Sequence, residues 1–178
     1  AGAGVYRSVD AGKTWQHMGL TGTYTIPRIL IHPANPDIVY VASSGHEWTN
    51  NAERGVYKTT DGGSSWSRVL FVDDRTGAID LVMDPADPDT LYAATWQRIR
   101  LKWNDPRNFP DYAGSGIHKS TDGGRTWAPI NKGLPEPKFR VESVEPEFWG
   151  EMLLFTELKA RLRLADGSTA TTRINRPL

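Results

Sequence analysis

Glu47, Asp73, Asp74, Asp105 and Asp111 are carboxylates in long, irregular stretches of the chain, and Trp48, Trp96 and Trp103 stand among them. Arg98, Arg100 and Tyr112 share those stretches. Glycoside hydrolysis needs two carboxyl groups roughly 5–10 Å apart across the scissile bond. Flat indole faces stack on sugar rings, and arginines and carboxylates fix the hydroxyls. The residue types are those of a carbohydrate site. No spacing marks any one carboxylate as acid or base, so the catalytic assignment stays open. The structural alternative is that the tryptophans pack loops onto sheet edges and the carboxylates are solvated or cap turns.

Other chemistries have less in their favour. His17, His32, His46 and His118 are scattered without zinc-type pairing, and no metal site is expected. No glycine-rich phosphate loop precedes a helix, and no cofactor is expected. Cysteine is absent, which removes disulfides and thiol nucleophiles. Basic and acidic residues balance at 21 each, which argues against a nucleic-acid partner. No stretch approaches the ~18 apolar residues of a membrane span.

The elements that must position these residues follow from a repeat. Ser8-Val9-Asp10-Ala11-Gly12-Lys13-Thr14-Trp15 returns as Thr59-Thr60-Asp61-Gly62-Gly63-Ser64-Ser65-Trp66 and again as Ser120-Thr121-Asp122-Gly123-Gly124-Arg125-Thr126-Trp127. Each copy follows Gly-(Val/Ile)-(Tyr/His)-(Arg/Lys), a strand-like composition. Asp can bond the backbone ahead of it, Gly accepts positive φ, and Trp opens the next strand and carries apolar surface into the fold. Each copy is therefore read as a hairpin. The residues Asp10, Gly12, Trp15, Asp61, Gly63, Trp66, Asp122, Gly124 and Trp127 are assigned to its structure rather than to chemistry. One carboxylate per turn is too few for a calcium loop.

This pattern resembles the Asp box, or bacterial neuraminidase repeat. That family builds β-propellers and includes sialidases, xyloglucan-degrading glycoside hydrolases, sortilin-like receptors and a photosystem assembly factor. From Gly4 to Pro135 the chain is most similar to bacterial sortilin-like propellers that carry a glycosyl-hydrolase label. The resemblance implies an extracellular or periplasmic protein. It is specific for fold and poor for activity, because enzymes and non-enzymes share the box. Arg98, Arg100 and Tyr112 do not reproduce the arginine cluster and tyrosine nucleophile of the sialidases.

The expected fold is all-β: a partial β-propeller of four-stranded antiparallel blades with Asp-box hairpins, plus a C-terminal β-hairpin tail. Residues 1–137 hold a half blade at 1–20 and blades at 27–71 and 78–131; residues 138–178 form the tail, a separate module or a junction. Arg28–Ile31 reads as a buried inner strand, followed by the turn His32–Asp37 and the strand Ile38–Ala42. Ile79–Met83, the turn Asp84–Asp89 and Leu91–Thr95 repeat that grammar about fifty residues later, as a propeller blade does. The second repeat is longer, and its extra residues fall in the loop Trp96–Ser115. In the tail, apolar residues alternate from Leu154 to Leu164 as in a half-buried strand, with Asp166-Gly167 as a hairpin turn. A helix over Phe148–Leu162 is the alternative there. The chain reads as starting in mid-blade and, lacking an initiator Met and a signal-peptide pattern, as a mature product or an excised piece. Open blade ends make self-association a further expectation.

Up-and-down strands sort the loops onto two ends. The proline turns and boxes share one. The long loops Thr21–Pro27, Ser43–Arg54, Phe71–Gly77 and Trp96–Ser115 share the other, where function tends to sit. Two functions remain: a binding or scaffold module presenting that loop face to a protein, peptide or polysaccharide, which is favoured, and a carbohydrate-active propeller hydrolysing a polysaccharide.

Overall fold

The computed structural model describes residues 2–98 and 114–132, together with the backbone of three strands at 139–147, 157–164 and 169–175. The chain divides into two compact units, one of Ala1–Leu101 with Tyr112–Lys132, the other of Lys102–Asp111 with Gly133–Leu178.

The first unit contains a two-stranded sheet and two four-stranded antiparallel blades. Strands β1 (Tyr6–Arg7) and β2 (Gln16–His17) flank the first box. Blade one runs in order through β3 (Arg28–Ile31), β4 (Val39–Ser43), β5 (Gly55–Thr59) and β6 (Ser67–Leu70). Blade two has β7 (Thr76–Met83), β8 (Leu91–Gln97), β9 (Gly116–Ser120) and β10 (Ala128–Pro129). The same register joins the two central strands in each blade: Tyr40 faces Lys58 and Tyr92 faces Lys119. β7 starts at Thr76, inside the stretch read as the loop Phe71–Gly77.

The core is the seam between the blades. Tyr40, Ala42 and Val56 of blade one pack with Ala78, Leu81, Leu91 and Ala93 of blade two, and Leu70 closes the cluster. Fully burying one such aliphatic side chain contributes roughly 1.5–3 kcal/mol, so this seam holds the unit together. The first inner strand, β3, departs from the expectation of burial. Ile29 is 44% and Ile31 62% exposed. The physical reason is that β3 is an edge strand, paired with β4 alone, so its alternate side chains stand beyond the seam. The tryptophans also depart from their reading: Trp15 is 63% exposed, while Trp66 and Trp127 are half-buried. Trp66 has a sheet to lean on, with its indole N–H donating to the Met18 carbonyl at 2.6 Å.

The second unit contains a three-stranded antiparallel sheet, β11 (Phe139–Glu147), β12 (Glu157–Leu164) and β13 (Thr169–Asn175) in that order, in which β12 and β13 form the expected hairpin and β11 adds a strand to it. β11 pairs along its whole length with β12, with a bulge between Val141 and Ser143. That stretch alternates Phe139, Val141 and then Val144 against charged residues, which is strand-like patterning interrupted at the bulge. The segment from Glu157 to Leu162, part of the helical alternative, is strand.

Candidate functional site

The two ends of the blades are built differently. At one end the box turns meet the proline turns: Gly62 N–H donates to the Asp37 carbonyl at 3.0 Å, and Gly123 N–H to the Asp89 carbonyl at 2.9 Å. Each box aspartate is used inside its own turn. Asp61 Oδ1 accepts the Ser65 N–H (2.9 Å) and the Thr59 hydroxyl (2.6 Å), and Oδ2 accepts the Ser65 hydroxyl (2.6 Å). Asp10 accepts the same three donors from Thr14 and Ser8, and Asp122 from Thr126 and Ser120. The Thr14 N–H, with the Thr14 and Ser8 hydroxyls, lowers the Asp10 carboxyl to about 2. The Ser65 hydroxyl first and the Thr126 hydroxyl first hold Asp61 and Asp122 further down still.

At the other end, four loops are tied to one another. Ser44 N–H donates to Thr25 O, Asn51 N–H to Asp74 O, and Arg98 N–H to Arg75 O, all at 3.0 Å. The knot is Arg54, 1% exposed. Its guanidinium donates to the carbonyls of Arg75 (2.8 Å), His46 (2.7 Å) and Thr49 (3.3 Å). Asn51 Nδ2 donates to the same His46 and Thr49 carbonyls, at 3.2 and 3.0 Å. Burial pulls the Arg54 guanidinium down from its usual range, opposed by the negative charges of Asp73, Asp74 and Glu47. Gly45 turns the loop at φ 69, and a Cβ there would run into Asn51 Oδ1 and the Arg54 stem. The longest loop is fastened at its base by buried Gln97, whose Oε1 accepts the Gly114 N–H at 3.0 Å.

This scaffold leaves a recess of about 220 Å³ lined by Thr25, Pro27, Ser44, Glu47, Arg54, Ile79, Trp96 and Arg98. Its floor is mixed: Pro27, Ile79 and the indole give apolar surface, and Glu47 and the arginines give charge. Trp96 is 41% exposed, and the Arg98 guanidinium lies 4.4 Å from its ring centre. Trp48, next to Glu47, is 61% exposed. A more open groove of about 480 Å³ shares Thr25 and is lined by Tyr6, Tyr24 and Ile29 among others. There Tyr24, held at φ 55, has its ring 3.5 Å from that of His46, centre to centre.

Of the residues singled out by sequence, the structure brings Glu47, Trp96 and Arg98 into one recess. Asp73 and Asp74 are on the adjoining loop, where Asp73 Oδ1 accepts the Arg75 N–H at 2.8 Å and the Asp74 carbonyl accepts from Asn51. Arg100, Trp103, Asp105, Asp111 and Tyr112 lie outside the described residues. Sequence reasoning placed Arg54 in its loop without its role as the knot, and missed the Tyr24–His46 stack. Gly45 and Asn51, two turn-forming residues shortly before Arg54, were the available signal. Among the described residues no group of three His, Asp or Glu side chains could hold a metal ion.

Four-stranded antiparallel blades stacked side by side, with loops gathered at one end, define a partial β-propeller. The chain belongs to the Sortilin-Vps10 family: the model described as sortilin, neurotensin receptor 3, matches residues 3–164. Among curated proteins it is similar to a probable oligoxyloglucan-reducing end-specific xyloglucanase of Neosartorya fischeri, 31% identical over 53% of this chain and 12% of that one. It is also similar to a xyloglucanase of a Paenibacillus species, 27% identical over 76% of this chain and 13% of that one. The chain thus spans only a small fraction of the length of these relatives. Among solved structures, an ancestral GH74 enzyme matches 99% of this chain and 22% of its own, at a TM-score of 0.51 and 18% identity. That likeness supports the fold.

Proposed function

We propose that the chain is a blade segment of a carbohydrate-active propeller whose loop face binds a polysaccharide of the xyloglucan class, with glycoside hydrolysis as the reaction class of the whole propeller. The observation that carries this is the recess in which an exposed indole, Trp96, stands beside a carboxylate, Glu47, and a cation, Arg98. An aromatic face with hydrogen-bonding groups at its edge matches a sugar ring, apolar on its faces and polar on its rim. Trp48 extends the aromatic surface. Glu47 is the carboxylate of the set that lines the recess, and hydrolysis would need a second one across the scissile bond. The loop 98–115, with Arg100, Trp103, Asp105, Asp111 and Tyr112, adjoins Arg98 in the sequence and is the proposed source of further contacts. The xyloglucanase relatives support this reading over the binding scaffold favoured from sequence. A secreted location accords with a polymeric substrate, and no helix of the described residues is long and apolar enough to cross a membrane.

The family match keeps a peptide-binding reading as the competitor. Isothermal titration of the chain with xyloglucan oligosaccharides, and separately with a peptide library, separates the two. Saturable heat with the oligosaccharides is expected. Saturable heat with peptides, and none with sugars, would replace the proposal by the binding-module reading.

A further inference from the structure

A bulge decides where one charged side chain stands. β3, the first strand of blade one, pairs with β4 without interruption from Arg28 to Ile31. β7, its counterpart in blade two, is interrupted between Ala78 and Asp80. In a regular strand alternate side chains share a face, so Asp80 would follow Ala78 into the seam. The bulge puts Leu81 there instead. Ala78 and Leu81 are both buried in the seam, and the two residues between them, Ile79 and Asp80, stand outside it. Bulges re-aim side chains in this way beside active sites.

The re-aimed carboxylate meets a cation of the other blade. Arg28 Nε donates to Asp80 Oδ1 at 2.6 Å, and the Leu81 N–H donates to the same oxygen at 2.9 Å. The Arg28 bond first, then the Leu81 N–H, holds the Asp80 carboxyl below its usual range. Both side chains are about half exposed. An ion pair in that setting adds little to stability, so stability alone gives the bulge little reason. Among the described residues, Asp80 Oδ2 and the two Arg28 Nη groups make no hydrogen bond.

The pair adjoins the recess along both strands. Pro27, immediately before Arg28, and Ile79, immediately before Asp80, both line it. β3 and β7 are the first strands of their blades, and in a propeller such strands border the central channel. The bridge joins two described blades, so it keeps this setting whether or not further blades complete a ring.

We infer, building on the carbohydrate reading of the recess, that Arg28 and Asp80 form a specificity fork for a neutral sugar unit next to the one held at Trp96. Asp80 Oδ2 accepts from one hydroxyl of that unit, and an Arg28 Nη donates to the neighbouring hydroxyl oxygen. The fork has one negative and one positive arm and no net charge. It therefore suits a neutral polysaccharide and selects against a uronic-acid chain, whose carboxylate would meet Asp80.

Isothermal titration with a neutral xyloglucan oligosaccharide and with an acidic oligogalacturonide tests this on the wild-type chain, Asp80→Asn and Arg28→Gln, with thermal melting of each as the check on folding. The wild type is expected to prefer the neutral oligosaccharide. Both variants are expected to bind it about tenfold more weakly, the loss of one charge-assisted hydrogen bond. Asp80→Asn is also expected to shift the ratio of the two affinities toward the acidic chain, because Arg28 is left unpaired before the uronate. That ratio is taken within one sample, so a change in the folded fraction does not move it. A ratio equal in the wild type and Asp80→Asn, or a wild type that prefers the acidic chain, would overturn the fork and leave sugar binding at the recess standing. A wild type that binds neither saccharide would overturn both.

Discussion

The box end and the loop end of the same two blades hold their backbones by opposite strategies. At the box end each turn is self-contained, with one aspartate taking three donors from residues at most four positions away. The arrangement recurs unchanged in all three copies. At the loop end nothing recurs. A single buried side chain, Arg54, ties its own loop to Arg75 O, which also accepts the Arg98 N–H that leads to the longest loop. Local bonding makes an element that can be copied along a chain. Long-range bonding through one cation makes a surface particular to one blade, which is what recognition of one ligand needs.

Removing the Arg54 knot is expected to have the largest effect. Arg54→Met keeps the bulk but withdraws a charged donor from three carbonyls, at a cost on the order of 3 kcal/mol. Chemical denaturation should show that loss, and oligosaccharide binding should fall with it, because Glu47, Trp48 and Arg98 are positioned by the same loops. An Arg54→Met variant with unaltered binding would detach the recess from its supposed support.

A box substitution should have a smaller and cleaner effect. Asp61→Ala is expected to lower the melting temperature modestly and leave ligand affinity at the wild-type value. Loss of affinity with an unchanged melting curve would reverse the contrast between the two ends. The smallest effect is acid sensitivity. The box carboxylates titrate below their ordinary value of 3.8 in the folded chain, Asp10 at about 2. The stability they contribute is therefore complete above the ordinary carboxylate range and is lost as pH falls through their folded values. Melting curves measured from about pH 5 downward should show this loss, with a shallower slope for Asp61→Asn.

The blades were legible because their grammar repeats: box, proline turn and strand spacing recur, and the register follows. The exposure of β3 was not, since Ile29-Leu30-Ile31 reads as a buried run whether or not a neighbour covers it. The third tail strand escaped because the bulge between Val141 and Ser143 breaks its alternation. For the recess, sorting loops by strand direction was enough to bring Glu47, Trp96 and Arg98 to one end. The Arg54 knot was not read from the sequence: Gly45 and Asn51 mark a turn there, but an arginine in a polar loop looks solvated until the carbonyls around it are placed. The Tyr24–His46 stack likewise joins two loops with no shared pattern.

The recess beside Trp96 is the proposed binding place of a polysaccharide of the xyloglucan class. Intrinsic tryptophan fluorescence during titration with xyloglucan oligosaccharides tests it most directly, on the wild-type chain, Trp96→Ala and Asp61→Ala. A saturable change is expected for the wild type and for Asp61→Ala, and its loss in Trp96→Ala. Binding that survives both Trp96→Ala and Trp48→Ala at wild-type affinity would contradict it.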